Sequence, residues 1–229
     1  MIVIRNNKII LLSYMFCFFL HNCLAQTGQS DFDTVLFLNT HEIHINSIRE
    51  DEYKKAAQTE RFIIDNSRIK KNKDKLVLNL TENIKVVLRD SLSNSDNTEQ
   101  VTYNYIGHFK EVGLYVIIVQ YYESVEFLLI NDKTGVKTKI WGEPKLSSDN
   151  KHIVCSSNAI GYDIMPNGIQ MWLIEKDNLI LEWVYKQEQW GVDGIIWVKE
   201  NCFYFIKHIP DFISKTKKEE KHYAKISFY

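Results

Sequence analysis

Short runs of β-branched and aromatic residues, each cut off by a polar link, recur along most of this chain, and they restrict it to strands. The runs are Thr34 to Leu38, His41 to Ile45, Lys75 to Thr81, Ile84 to Arg89, Val101 to Ile106, Leu114 to Gln120 and Val125 to Ile130. They continue with Val136 to Trp141, His152 to Cys155, Ile169 to Glu175, Leu179 to Tyr185, Gly194 to Val198, Cys202 to Ile206 and Tyr223 to Tyr229. In the last of these Ala224, Ile226 and Phe228 fall on one face, as side-chain alternation along a strand requires. The links suit hairpins. Glu82-Asn83, Lys176-Asp-Asn178 and Lys199-Glu-Asn201 are short and polar, and Tyr121-Tyr-Glu-Ser124 joins two apolar runs. In Asn131-Asp-Lys-Thr-Gly135, Asp132 is expected to bond the backbone ahead of it, and Gly135 to take positive φ. Ser147 to Lys151 and Gly191 to Gly194 read as further turns. The chain is therefore expected to be all-β and mostly antiparallel, arranged as propeller-like or meander sheets.

One short surface helix interrupts the pattern. Ser47 followed by Glu50 fits a capping box, and Glu52 to Arg61 supplies good helix formers, with a thin apolar stripe of Tyr53, Ala56, Ala57 and Ile64. Asp90 to Gln100 and Ser214 to Lys221 read as solvated connections.

The first residues have the layout of a secretory signal. Arg5 and Lys8 precede an apolar run from Ile9 to Leu20, and Cys23 and Ala25 are small residues before the expected cleavage between Ala25 and Gln26. The rival readings are a retained anchor, for which a spanning helix needs about 20 apolar residues, and a lipoprotein acylated at Cys23. Cleavage leaves a single β domain, 26–229, in the periplasm or outside the cell, with no transmembrane segment. Loss of Arg5 and Lys8 takes the net charge from −1 to −3, which provides no basic footprint for nucleic acid. Two cysteines remain, Cys155 and Cys202. They are either a disulfide, as an oxidising compartment allows, or two separate buried thiols.

Phe127 to Gly135 ends a strand in Asp-x-Thr-Gly, and Leu146-Ser-Ser-Asp-Asn-Lys151 leads into the strand at His152. With the second group of strands from Gly168 to Ile206, this layout resembles the blade repeat of TolB-type and WD-repeat β-propellers over residues 127–206. Ser148 stands where that repeat has Pro, and Asn150 where it has Gly; Asn is the next best residue for positive φ, so the turn is kept. The resemblance implies a surface for binding proteins or ligands and carries over no catalytic residue.

Candidate chemistry is sparse. His41-Glu-Ile-His44 has histidines three apart, and on a strand these face opposite sides, so they do not chelate one ion. No Gly-x-Ser-x-Gly, phosphate loop or dinucleotide fingerprint is present. No metal or cofactor is expected. Of the five tryptophans, Trp172 and Trp183 sit within apolar strands, while Trp190 and Trp197 flank the Gly191–Gly194 turn and are the candidates for exposure. The expected binding surface is the loop set around Tyr162, Asp163, Trp190 and Asp193. The expected function is non-catalytic binding of a protein, envelope component or other macromolecule. The alternative is a secreted carbohydrate-active hydrolase, for which Glu123 with Glu126, Glu175 with Glu182, or Asp163 with Asp193 would supply the two carboxylates.

Overall fold

Alternation inside the apolar runs dictates what packs on what. In Leu114 to Gln120, nearly every residue is apolar, so both faces of that strand must be buried. The computed structural model, which describes residues 33–59, 69, 71–81, 84–91, 100–161 and 165–229, has this arrangement. Its strands are β1 (Thr34–Leu38), β2 (His41–Ser47), β3 (Lys75–Asn79), β4 (Lys85–Arg89), β5 (Thr102–Phe109), β6 (Leu114–Gln120), β7 (Val125–Asn131) and β8 (Lys137–Ile140). They continue as β9 (Lys145–Leu146), β10 (His152–Ser157), β11 (Gly168–Glu175), β12 (Asn178–Lys186), β13 (Gly191–Lys199), β14 (Cys202–Ile209) and β15 (Glu220–Phe228). One α-helix, α1 (Glu50–Thr59), follows β2, and a 3-10 turn, Lys110–Val112, follows β5.

Among the described residues every ladder is antiparallel. The strands form a two-stranded sheet (β3-β4), two sequential meanders (β5-β6-β7-β8 and β9-β10-β11-β12) and a terminal sheet ordered β1-β2-β15-β14-β13. The terminal sheet joins the first strands of the domain to the last. Residues Thr34–Tyr229 make up one unit.

Three apolar clusters bind the four sheets face to face. Leu76, Leu78 and Leu88 of the two-stranded sheet meet Tyr115, Ile117 and Ile130 of the first meander. On its other face the first meander presents Leu114, Val116 and Leu129 to Ile153, Cys155 and Trp172 of the second. The second meander then turns Val154, Ile169, Met171 and Trp183 toward Phe203, Phe205, Ile226 and Phe228 of the terminal sheet. Period-2 alternation thus assigns odd and even residues of β6 to different cores. Each large side chain fully withdrawn from water stabilises the fold by roughly 1.5–3 kcal/mol.

Helix α1 covers the face of the terminal sheet opposite this core. Tyr204 lies between the inward Phe203 and Phe205, and its hydroxyl donates to Glu52 at 2.7 Å. Burial, and then the hydrogen bond to that carboxylate, push the Tyr204 hydroxyl up to about 12. Tyr53 donates to the Gly194 carbonyl at 2.7 Å and Tyr223 to Glu50 at 3.0 Å. Glu50, Asp51 and Glu52 place negative charge at the helix N-terminus, where the helix dipole favours it.

Several local expectations change. Ser47 is the last residue of β2, paired with Ala224, and at the helix start the Arg49 carbonyl accepts from Tyr53 N–H. Asn131, not Asp132, closes the β7–β8 turn, its Oδ1 accepting from the N–H groups of Lys133 and Thr134. Asp132 instead pairs with His108 at 3.0 Å. Gly191 to Gly194 is no turn but the start of β13, irregular between Asp193 and Ile196. Asn150 does take positive φ, at 60°. The Glu82-Asn83 link lies outside the described residues. Among the described residues no helix is long and apolar enough to cross a membrane.

Candidate functional site

In a meander, alternate links emerge at opposite ends. The β6–β7, β8–β9 and β10–β11 links therefore share one end of the stack, and the start of β13 joins them there. Between them lies a cleft of about 810 Å³. It is lined by Tyr121, Tyr122 and Glu123 from the first link, Trp141 and Glu143 from the second, Lys145 at the start of β9, Asn158 from the third link, and Asp193 from β13. Tyr122 is 84% exposed.

Two glycines let these segments approach so closely. A side chain on Gly142 would stand 1.9 Å from the Ser156 carbonyl oxygen, and one on Gly191 would stand 1.7 Å from the Asn158 side-chain oxygen. The Ser156 backbone leaves no room for a side chain at 142, whereas at 191 the Asn158 side chain would have to move aside. The walls are then fixed by polar contacts. Gln170, almost fully buried on β11, accepts from Trp141 N–H at 3.0 Å. Trp197 donates its indole N–H to the Lys145 carbonyl at 2.9 Å, and Asn158 donates to the Asp193 carboxylate at 2.9 Å. Asn167 accepts from Ala159 N–H at 3.0 Å and donates to the carbonyls of Gln187 and Trp190 at 2.7 and 2.8 Å, so one side chain ties two links together. Beside the cleft, Tyr121 donates to Glu126, whose carboxylate is also 2.9 Å from Lys139; burial, then that carboxylate, raise the Tyr121 hydroxyl's pKa.

Of the residues expected to form the binding surface, Asp193 lies in the cleft and is exposed. Trp190 does not offer a free face. It is only 5% exposed, stacks on Phe205 at 5.8 Å, and has the Lys207 ammonium 4.9 Å from its ring centre. The flanking turn that suggested exposure is strand, and β13 draws Trp190 into the core. Tyr162 and Asp163 lie outside the described residues. Trp197 is half-buried against Phe203 and Phe228. Trp141, Tyr121 and Tyr122 were not singled out from the sequence. The available signal was the link Tyr121-Tyr-Glu-Ser124, which holds two aromatics where turn-forming residues are the norm.

Cys155 and Cys202 are both free and buried, which overturns the bridge and leaves two separate thiols. Cys155 faces the first meander from β10, whereas Cys202 opens β14 in another sheet, so the fold keeps them in separate sheets. Burial pushes the Cys155 thiol up to about 11, and its Sγ lies 3.3 Å from the Gln170 side-chain oxygen, Oε1. His41 and His44 have separate carboxylate neighbours, Glu182 at 3.8 Å and Glu42 at 2.7 Å. Among the described residues, no group of three or more His, Cys, Asp or Glu side chains could hold a metal ion.

No family model, curated protein or solved structure matches this chain.

Proposed function

We propose that this is an exported, non-catalytic protein of the periplasm or cell surface that holds a protein or other macromolecule in the cleft across one end of a propeller-like β domain. The observation that carries the reading is the convergence of aromatic and charged side chains from three sheets on that one cleft. Links between rigid strands commonly carry binding function, because the strands hold them in place. The propeller-like reading draws support from two four-stranded meanders packed face to face, which is the composition of adjacent blades. The layout of residues 1–25 supports export. Two buried thiols, one with its pKa raised, are compatible with an oxidising compartment, since the reactive thiolate is suppressed.

The test is purification from the native host of the wild-type protein and of Trp141→Ala/Asp193→Ala. Both side chains line the cleft and neither belongs to a buried cluster. The variant should melt cooperatively and lose a partner that the wild type retains. A variant that keeps its partner overturns the cleft reading. Intact mass of the wild type from soluble, extracytoplasmic material should begin at Gln26. A cytosolic product that still carries Met1 overturns export.

A further inference from the structure

We infer that the cleft takes an extended basic peptide segment, engaging its Lys and Arg side chains between carboxylates and aromatic rings; this rests on the cleft reading above. Charge is the first reason. Among the described residues, Glu123, Glu143 and Asp193 line the cleft against one ammonium, Lys145, and Lys145 already lies 3.6 Å from Glu143. Glu123 and Asp193 are exposed and make no ion pair with a described residue. The Asp193 carboxylate accepts a hydrogen bond from Asn158, which preorients it. A cleft with low-dielectric walls and one dominant sign of charge concentrates ligands of the opposite sign.

The aromatic rings are the second reason. Tyr121, Tyr122 and Trp141 share the cleft with those carboxylates. A cation over a ring face is attracted by the ring's quadrupole, and a carboxylate beside it adds a charge-assisted hydrogen bond. The protein contains an internal copy of this arrangement at the cleft's border. The Lys139 ammonium lies 5.9 Å from the Tyr121 ring centre and 2.9 Å from Glu126. Glu123, Glu143 and Asp193, with Tyr122 and Trp141, offer the same two kinds of group to a cation from outside. The third reason is size. A cleft of 810 Å³ that is open along the ends of three sheets accommodates several residues of a chain, more than one side chain fills.

The test uses the full-length secreted protein and a phage-displayed library of random linear dodecapeptides. Selected peptides should be enriched in Arg and Lys at two or more positions. The strongest, made synthetically, should bind Glu123→Gln/Asp193→Asn about tenfold more weakly, as expected for loss of charge-assisted bonds, and should weaken further in high salt. Unchanged thermal melting of the variant shows that it is folded. Selected peptides with no basic enrichment overturn the inference. So does a basic peptide that binds the variant as well as the wild type, and so does binding of neutral hexasaccharides, chitohexaose or maltohexaose, in preference to any peptide. A native partner that needs Trp141 but ignores Glu123→Gln/Asp193→Asn removes the basic-peptide inference and leaves the cleft reading in place. A partner indifferent to Trp141→Ala/Asp193→Ala removes both.

Discussion

Ile226, three residues from the end of the chain, lies directly opposite Ile45 in the β15–β2 ladder, and both side chains are buried in the same core cluster. The first hairpin of the domain thereby becomes the outer part of the sheet built by its last strands. Such a contact closes a very long loop, and it couples the stability of the two termini. Ile226→Ala should cost about 2–5 kcal/mol in urea denaturation, as deletions of buried isoleucine do. Ile45→Ala should cost a similar amount, and the double variant less than the sum, because the two side chains are neighbours. Strict additivity would show that the hairpin packs independently.

Trp190 and Trp141 make opposite contributions. Trp190→Ala opens the core beside Phe205 and should lower stability by about 3–5 kcal/mol. Trp141→Ala, at the half-exposed cleft wall, should cost about 1 kcal/mol or less. Comparison of the two urea midpoints checks this, and a reversed order would place Trp190 at the surface.

The two thiols should behave as buried and unlinked. In the native protein Cys155 should resist iodoacetamide, being fully buried with a thiol pKa raised to about 11. In denaturant without reductant, intact mass should show both Cys155 and Cys202 alkylated. Alkylation only after reduction would restore the disulfide.

Acid should act on the β14–β15 connection. The Glu220 carboxylate accepts from the hydroxyls of Ser214 and Thr216 and contacts His222, and these contacts bring its pKa down from 4.5 to about 2. A carboxylate depressed in the folded state stabilises the fold above its unfolded pKa and loses that contribution as pH falls through the folded value. The wild type should therefore lose stability relative to Glu220→Gln between pH 4.5 and pH 2, and the two pH profiles should converge at the acid end. Parallel profiles through that window would show that the contacts are not made in solution.

Strand content was legible because each apolar run carries its own period. Ala224, Ile226 and Phe228 fall inward together as their alternation requires, and Asn150 takes the positive φ expected of it. The stacking order of the sheets was not legible, since a strand such as β6 that is apolar on both faces says that two cores exist without saying which sheets supply them. Trp190 was misjudged because Gly191 and Gly194 look like turn glycines. Gly191 instead serves the close approach of Asn158, a distance no local pattern encodes. The cleft was half legible: Asp193 was expected there, whereas Trp141 and Tyr122 come from links that only the meander topology brings to the same end.

The most direct measurement is site-specific photo-crosslinking in the native host. A benzophenone amino acid would replace Tyr122 in the cleft or, as the control, Val136, which is 58% exposed in the β7–β8 turn at the opposite end of the stack. A discrete covalent adduct formed from position 122 and absent from position 136 is the expected result. No adduct from 122, or the same adducts from both positions, would contradict the assignment of the cleft as the working surface of this protein.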